Sequence, residues 1–593
     1  MFASKDLFFT PPSGGYTLNR SLRLRSSASA YLNRTFGTPT NEKIWTWSAW
    51  VKRGSLGIIS SLFNASTGAS PAYDGFRFNS SDQLQFFTGG AVTVNLVTNA
   101  VYRDPSSWYH VVLSYNATTT TVTIYVNGVA QATTGTTVSN TTYSFNHAST
   151  LHSIGAQVVN GAYSAGTYLD GYLAEVNFID GQALTPSSFG AYNAITGVWQ
   201  PTKYAGTYGT NGFYLNFNNN ASTTTLGYDT SGNSNNWTTN NISVTAGATY
   251  DSMTDVPTLT SPTVANYAVL SPTETYLAGN SFSISNGGLT YSQSTCTQTT
   301  FAGSTFFLPY GAGKFYYEIS QQSKSIVAGD ATTPFALSIL TSVSTGTSYS
   351  NWNYFWAGSG NSADPTGASL TGVGSGVSNG DVIMVGLDLV NGKLYLGKNG
   401  TWLNSGNPVA GTGAVSTNLG NYLSFNPMVG NGGGNATGFQ CSLNFGQQPF
   451  TYTPPTGFVA LNTFNLPTPT ISNGANYFAA TTYSGNSSTN SLTNTVNGIS
   501  FQPDLVWLKG RSSAYNHALL DSIRGARNVL SSNLTSAEST EPVGSSLTSF
   551  DSSGFTLAGG VATYANVNTT GQTYVGWQWQ AGKGSTSSNT NGS

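Results

Sequence analysis

This sequence is short of charge. Of 593 residues, 20 are Lys or Arg and 22 are Asp or Glu, 7% together, with a formal net charge of −2. An ordinary globular chain carries about 25%. The balance excludes the basic footprint of a nucleic-acid binder. Cysteine is nearly absent: Cys296 and Cys441 are too few for a disulfide framework or a Cys-rich zinc site, and read plainly as buried thiols. No apolar run reaches the roughly 18 residues of a membrane-spanning helix, so no membrane insertion is expected. The first residues, Met1-Phe-Ala-Ser-Lys-Asp-Leu7, lack the apolar core of a signal peptide, so folding in a cytoplasm is expected.

The groups that carry chemistry are equally sparse. The histidines are His110, His147, His152 and His517; the 147/152 spacing suits neither a helix face nor a strand face. A glycosidase needs two carboxylates flanking the scissile bond. The glutamates are Glu42, Glu175, Glu274, Glu318, Glu538 and Glu541, and of these Glu538 and Glu541 are near each other, in a Ser/Thr loop before Pro542. No nucleophile elbow with triad partners and no phosphate-binding loop occurs. The expectation is a protein that is not an enzyme, with no catalytic residue, no metal ligand set and no cofactor.

What is abundant is Gly (68), Tyr (33), Phe (31) and Trp (12), with many Ser, Thr and Asn. Aromatic content of 13% argues against disorder. Neutral turn-formers and aromatics together predict an all-β protein. The clearest stretch is 380–402. Val382–Leu389 is a mostly apolar strand, Asn391-Gly392 predicts a two-residue hairpin turn, Lys393–Gly397 returns, and Asn399-Gly400 turns again before Trp402. Earlier, Trp45, Trp47, Ala49 and Val51 alternate with Thr46, Ser48 and Trp50; Trp108–Tyr115, Thr121–Val126 with Asn127-Gly128, and Leu169–Phe178 are further strands.

These runs resemble known modules. "WTWSAWVK", "WYHVVLSY", "TIYVNG" and "LDGYLAEVNFID" follow the strand order of a laminin-G-like, concanavalin-like jelly roll. The 380–402 run, with Gly313-Lys-Phe-Tyr-Tyr-Glu-Ile319 before it and Leu443–Phe450 and Pro454–Phe458 after it, resembles a SPRY domain. The resemblance implies tandem β-sandwiches: a docking arm at 1–20, a jelly roll at 21–190, an ordered connector at 191–265, a SPRY-like sandwich at 266–463, a smaller β-module at 471–582 and a flexible tail at 583–593. The arm reads equally as a frayed terminus. Some relatives of the jelly roll bind Ca²⁺, but Asp74, Asp82, Asp104, Asp170 and Asp180 form no dense acidic loop; Asp170 and Glu175 are expected to bond nearby backbone.

The module order, with "SLRLRSSASAYLNRTF", "QPTKYAGTYGTNGFYLNF", "DTSGNSNNWT", "TYDSMTDVPT" and the "GWQWQAG" run, resembles tail-fibre proteins of marine bacteriophages. That implies a virion structural protein, folded in the host cytoplasm, forming a homotrimer, contacting other tail or capsid proteins and adhering to host glycan or protein. Two other readings stand beside it: a capsid-bound fibre or decoration protein with no host contact, and a glycan-depolymerising tailspike. Within the SPRY-like region, Trp352, Tyr354 and Trp356 are the candidate glycan-stacking residues, beside Asn351 and Asn353; the plain alternative is that they line a strand and enter the core.

Overall fold

The Ile44–Arg53 strand shows how this sequence builds sheet. Trp45, Trp47, Ala49 and Val51 enter one aromatic core, while Thr46, Ser48, Trp50 and Lys52 face the other way. Both sets are buried. A strand at a solvent boundary would bury one face, so other parts of the chain must cover the second.

The computed structural model describes residues 15–593 except 69–72, 90–93, 137, 142, 195, 278–281, 295–298, 325–334, 341–351, 357–376, 418, 422–423, 433–437, 470, 472, 497, 560–561 and 582–593; the side chains of 275–277, 299, 324, 335–340, 352–356, 421, 431–432 and 439 are also outside the description. The described residues are strands, turns and short 3-10 segments, an all-β fold. Among them no helix is long and apolar enough to cross a membrane. Two compact units result: Met1–Ala191 with Gln200–Pro467, and Tyr192–Trp199 with Thr468–Ser593.

The first unit opens with a jelly roll of two eight-stranded sheets. One sheet runs Val129–Ala130, Thr121–Val126, Trp108–Asn116, Ile44–Arg53, Gly171–Asp180, Ser21–Leu24, Ser252–Met253, with Phe213–Leu215 also paired to Gly171–Asp180. The other runs Thr133–Thr136, Val94–Thr98, Leu84–Thr88, Tyr73–Phe78, Ser60–Ser66, Leu151–Ile154, Tyr31–Thr35, Thr238–Asn240. Their inner faces meet in a core rich in rings, among them Trp45, Trp47, Phe63, Phe76, Phe86 and Phe178. Of the expected connector at 191–265, Tyr192–Trp199 groups with the second unit, and residues 213–253 are part of this sandwich. These supply strands to both sheets, because Phe213, Phe217 and Trp237 are core residues that must be buried. Of the expected arm, residues 1–14 lie outside the described residues, and 15–20 lie against their own chain. Leu18 is buried, its N–H donates to Thr258 Oγ1 at 3.1 Å, and its carbonyl accepts from Thr260 Oγ1 at 2.8 Å.

A second sandwich follows in the same unit. A six-stranded sheet holds Leu270–Leu277, Thr299–Ser304, Ser424–Gly432, Phe335–Leu340 and Trp352–Trp356 in order, and Leu308–Pro309 also pairs with Ser424–Gly432. The eight-stranded partner sheet is centred on Lys314–Lys324, flanked by Phe439–Asn444 and Val382–Asp388. The Asn399-Gly400 turn is as expected: both φ values are positive (51° and 86°), and Lys398 pairs with Thr401 across two residues. Asn127-Gly128 does the same (48° and 83°). Asn391-Gly392 does not. Asp388 pairs with Lys393 across a four-residue loop, since the Asp388 carboxylate captures the Asn391 N–H at 3.0 Å and its side-chain amide at 2.8 Å. An acidic residue three positions back outcompetes the tight turn.

Two aspartates of the "TYDSMTDVPT" run are buried hubs, Asp251 within the jelly roll and Asp255 between it and the second sandwich. Asp251 accepts from Arg23 Nε (3.1 Å), Arg25 Nε (2.8 Å) and the Ser243 N–H (2.9 Å). Asp255 accepts from Lys52 Nζ (2.7 Å), Trp108 Nε1 (3.0 Å) and the Tyr267 N–H (3.2 Å). Beside them Gly287 (φ 72°) fits against the Tyr172 ring; a Cβ there would approach it to 2.7 Å. Asp170 takes the Gly287 N–H at 2.7 Å, and Tyr172 Oη donates to the Gly287 carbonyl at 2.7 Å. On the outer face of the Ile44–Arg53 strand, Lys52 is therefore buried against the start of the second sandwich, whereas Thr46 and Ser48 bond to Gln182, Leu184 and His110.

The second unit is smaller. A four-stranded sheet (Phe478–Ser484, Thr573–Trp579, Leu505–Gly510, Ala518–Asp521) packs on a three-stranded one (Asn490–Thr493, Gly554–Leu557, Leu547–Asp551). Between them lie Val506, Leu508, Leu520, Phe555 and Tyr574. Val506 and Leu508 are buried, but Trp507 and Lys509 are half-buried on the outer face.

Candidate functional site

The outer face of the second jelly-roll sheet gathers a site. In Tyr73–Phe78, Phe76 and Phe78 point into the core, so Gly75 and Arg77 point out. Register carries that face across the sheet. One row reads Asn95, Phe87, Gly75, Asn64, Ser153, Asn33 and Thr238, each opposite the next. A second row places Gln85 and Ser61 on either side of Arg77.

The side chains along these rows are linked. Arg77 Nε donates to Gln85 Oε1 at 2.9 Å and Nη1 to Gln157 Oε1 at 2.9 Å; Gln85 Nε2 donates to Asn95 Oδ1 at 2.8 Å. The guanidinium lies 4.5 Å from the centroid of the Phe87 ring, a cation–π contact. Phe87 can lie flat across the sheet because Gly75 has no Cβ; one there would run into the ring and into Asn64 Nδ2 at 3.0 Å. Further along, the rings of Tyr31 and Tyr163 lie tilted to each other with centroids 4.2 Å apart, Tyr168 lies 6.2 Å from Tyr31, and Asn33 Nδ2 donates to Tyr163 Oη at 2.9 Å. Arg77, Gln85, Asn95, Tyr31, Asn33 and Tyr163 are half-buried. Burial lowers the Arg77 pKa from its usual value and raises that of Tyr163 to about 12, so the phenol is neutral near pH 7.

This face offers neutral donors and acceptors, one cation and ring faces. It has what a sugar presents in complement, hydroxyls for the amides and C–H faces for the rings. Sequence reading missed it. The alternation in Tyr73–Phe78 and Leu84–Thr88 was available as a signal, but nothing in one strand says that Arg77, Gln85 and Asn95 lie in adjacent strands.

The sequence-predicted stacking residues Trp352, Tyr354 and Trp356 occupy alternate positions of an edge strand paired to Phe335–Leu340; their side chains lie outside the described residues. The acids considered for metal binding are engaged elsewhere. Asp74 accepts the Gly89 and Phe145 N–H groups, Asp82 pairs with Arg53 and Arg103, Asp104 holds Ser106 and Ser107, and Asp180 takes the Thr40 and Asn211 N–H groups. Among the described residues no group of three or more His, Cys, Asp or Glu could hold a metal ion. Asp170 bonds backbone as expected, but Glu175 does not. It accepts two phenols, Tyr16 Oη at 2.8 Å and Tyr214 Oη at 2.6 Å. Glu538 pairs with Arg524, while Glu541 is buried and accepts the Thr563, Tyr564 and Ala565 N–H groups. Cys441 is a buried free thiol, and Cys296 lies outside the described residues.

The chain is similar to known proteins in pieces. Residues 26–189 match a family described as the concanavalin A-like lectin/glucanases superfamily, and residues 473–593 match a domain family of unknown function, DUF7483. No curated protein matches the chain. Among solved structures, the SPRY domain of human HERC1 is 14% identical, with 29% of this chain and 96% of that one covered, at a TM-score of 0.23. Domains LG4-5 of the mouse laminin alpha1 chain are 9% identical, covering 76% and 96%, at 0.25. A SAP-like pentraxin from Limulus polyphemus is 16% identical, covering 28% and 78%, at 0.23. At such TM-scores these likenesses carry no inference. The family match and the two facing sheets agree: residues 26–189 are a concanavalin-like jelly roll.

Proposed function

We propose that this protein is an adhesive structural component of a bacteriophage virion, a tail fibre or tail-associated receptor-binding protein, and that the outward face of its second jelly-roll sheet holds host-surface glycan. The observation that carries the reading is the Asn95–Gln85–Arg77–Gln157 hydrogen-bond chain lying over the Phe87 ring. Amides and a guanidinium in fixed positions recognise hydroxyl pairs, and rings recognise sugar faces. Support for the virion setting is the module order and the low charge, which makes adhesion insensitive to salt. The protein acts as a homotrimer with virion partners, and several copies per particle multiply weak single sites. In this reading it binds rather than cleaves.

The test is adsorption. Purified chain should compete with phage for host cells and retain host polysaccharide on a column, and Arg77→Ala should lose both. Label located on the head rather than the tail would replace this reading with a capsid decoration protein. Release of oligosaccharides from the polysaccharide would replace it with a tailspike enzyme.

A further inference from the structure

On the opposite sheet of the jelly roll, where Tyr16 meets the Gly171–Asp180 strand, there is a cavity of about 240 Å³. Tyr16, Asn19, Glu175, Lys203, Tyr214 and Asn216 are in its wall. Its backbone is unusual twice over. Glu175 sits at a β-bulge with φ 53°, and Phe217, between the wall residues Asn216 and Asn218, has φ 56°. Left-handed backbone is uncommon for either residue type, and such strain concentrates at ligand sites.

Three side chains meet here pairwise through four oxygens. Tyr16 Oη lies 2.8 Å from Glu175 Oε2, Tyr214 Oη lies 2.6 Å from Glu175 Oε1, and the two phenol oxygens are 2.6 Å apart. Each contact needs a proton. With an ionised Glu175 the two phenols supply two protons for three contacts. With a protonated Glu175 the count is three, and a closed ring forms in which each group donates once and accepts once. Burial of the carboxyl favours that form and raises its pKa to about 7. The charged and titratable groups around it are Tyr16 and Tyr214 in contact, Lys203 at longer range, and Tyr208 and Asp229 behind the tyrosines.

In the closed ring every proton is already committed, so towards the cavity the ring offers lone pairs. The same lining offers donors, the Lys203 ammonium and the Asn19, Asn216 and Asn218 amides. A ligand held by both sets must both donate and accept. An anion is disfavoured by the lone pairs, and a cation by Lys203. A hydroxyl satisfies both. The volume is below the roughly 300–1,000 Å³ of pockets for larger ligands, so it suits one ring and not a chain. We propose that this cavity is a binding site for a single uncharged polyhydroxylated ring, a monosaccharide unit, formed when the Glu175–Tyr16–Tyr214 ring is closed.

The test uses the full chain and a panel of glucose, galactose, mannose and N-acetylglucosamine, followed by calorimetry and saturation-transfer NMR at about pH 5.5 and about pH 8.5. At least one sugar should saturate in the millimolar range at the lower pH and bind about tenfold or more weakly at the higher. Glu175→Gln, whose amide both donates and accepts, should keep the binding and lose its pH dependence. Tyr16→Phe, at the surface, should weaken binding about tenfold without changing the circular dichroism. Arg77→Ala should leave this binding intact, which separates the site from the sheet face proposed above. The proposal is overturned if no sugar saturates, if folded Glu175→Gln stops binding or stays pH-dependent, or if Arg77→Ala removes the effect.

Discussion

Lys52 and Asp255 form an ion pair at 2.7 Å with both side chains fully buried. They are far apart in sequence, Lys52 in the jelly-roll strand Ile44–Arg53 and Asp255 in the run that leads from the strand Ser252–Met253 to the second sandwich. Burial alone pulls the Lys52 pKa down and pushes the Asp255 pKa up; each offsets the other, with Trp108 Nε1 and the Tyr267 N–H completing the carboxylate's partners. A pair of this kind is a weak source of net stability but a strong constraint, because neither partner tolerates losing the other.

Lys52→Met should therefore cost about 3–5 kcal/mol, since it strands a buried carboxylate. Adding Asp255→Asn should restore part of that loss, the signature of coupling between neighbours. Urea unfolding of both variants measures it. A single mutant within about 1 kcal/mol of wild type would contradict the joint as described.

His110 and His152 are buried neutral, and burial lowers each pKa to about 3. His152 stacks on Phe36 at 3.6 Å, accepts the Asn146 N–H at Nε2 and faces the Thr150 carbonyl through Nδ1. It must then be the Nδ1–H tautomer. The unfolded chain takes up protons near pH 6.5 and the folded one does not, so this stability is full above about 6.5 and lost as pH falls towards 3. Nitrogen-15 NMR should show both rings neutral at about pH 5, with His152 protonated at Nδ1. Titration of either ring near its ordinary value would be the contrary result.

Glycine 75 tests the sheet face. A methyl group there collides with Phe87, whose ring has little room to leave because it is 6% exposed. Gly75→Ala should destabilise by about 1–3 kcal/mol, as overpacking does, and should weaken glycan retention as the ring tilts away. Retention equal to wild type would remove Phe87 from the site.

Arg77→Ala should lower glycan affinity about tenfold or more, by removing the guanidinium from Gln85, Gln157 and Phe87 together. Arg77→Lys should rescue poorly, because an ammonium cannot hold two glutamine carbonyls in one plane. A glycan-binding curve for each variant decides it, with full rescue by lysine showing that charge alone matters.

The sequence by itself determined the fold class. Alternation in Ile44–Arg53 and in Lys314–Lys324 follows from the two-residue period of a strand, and that period is local. Of the three Asn-Gly pairs read as tight hairpin turns, Asn127-Gly128 and Asn399-Gly400 form them; Asn391-Gly392 failed because Asp388 reached Asn391. Tertiary structure alone decided what lies opposite what. Residues 213–253 carry strand signals but no label saying that they complete the jelly roll, and Asp251 and Asp255 gain their arginine and lysine partners through pairing over more than 200 residues. The candidate face has the same origin. Arg77, Gln85 and Asn95 meet because register is set by burying Phe76, Phe86 and Leu96 on the other side, and a local period carries no information about which strands will be neighbours.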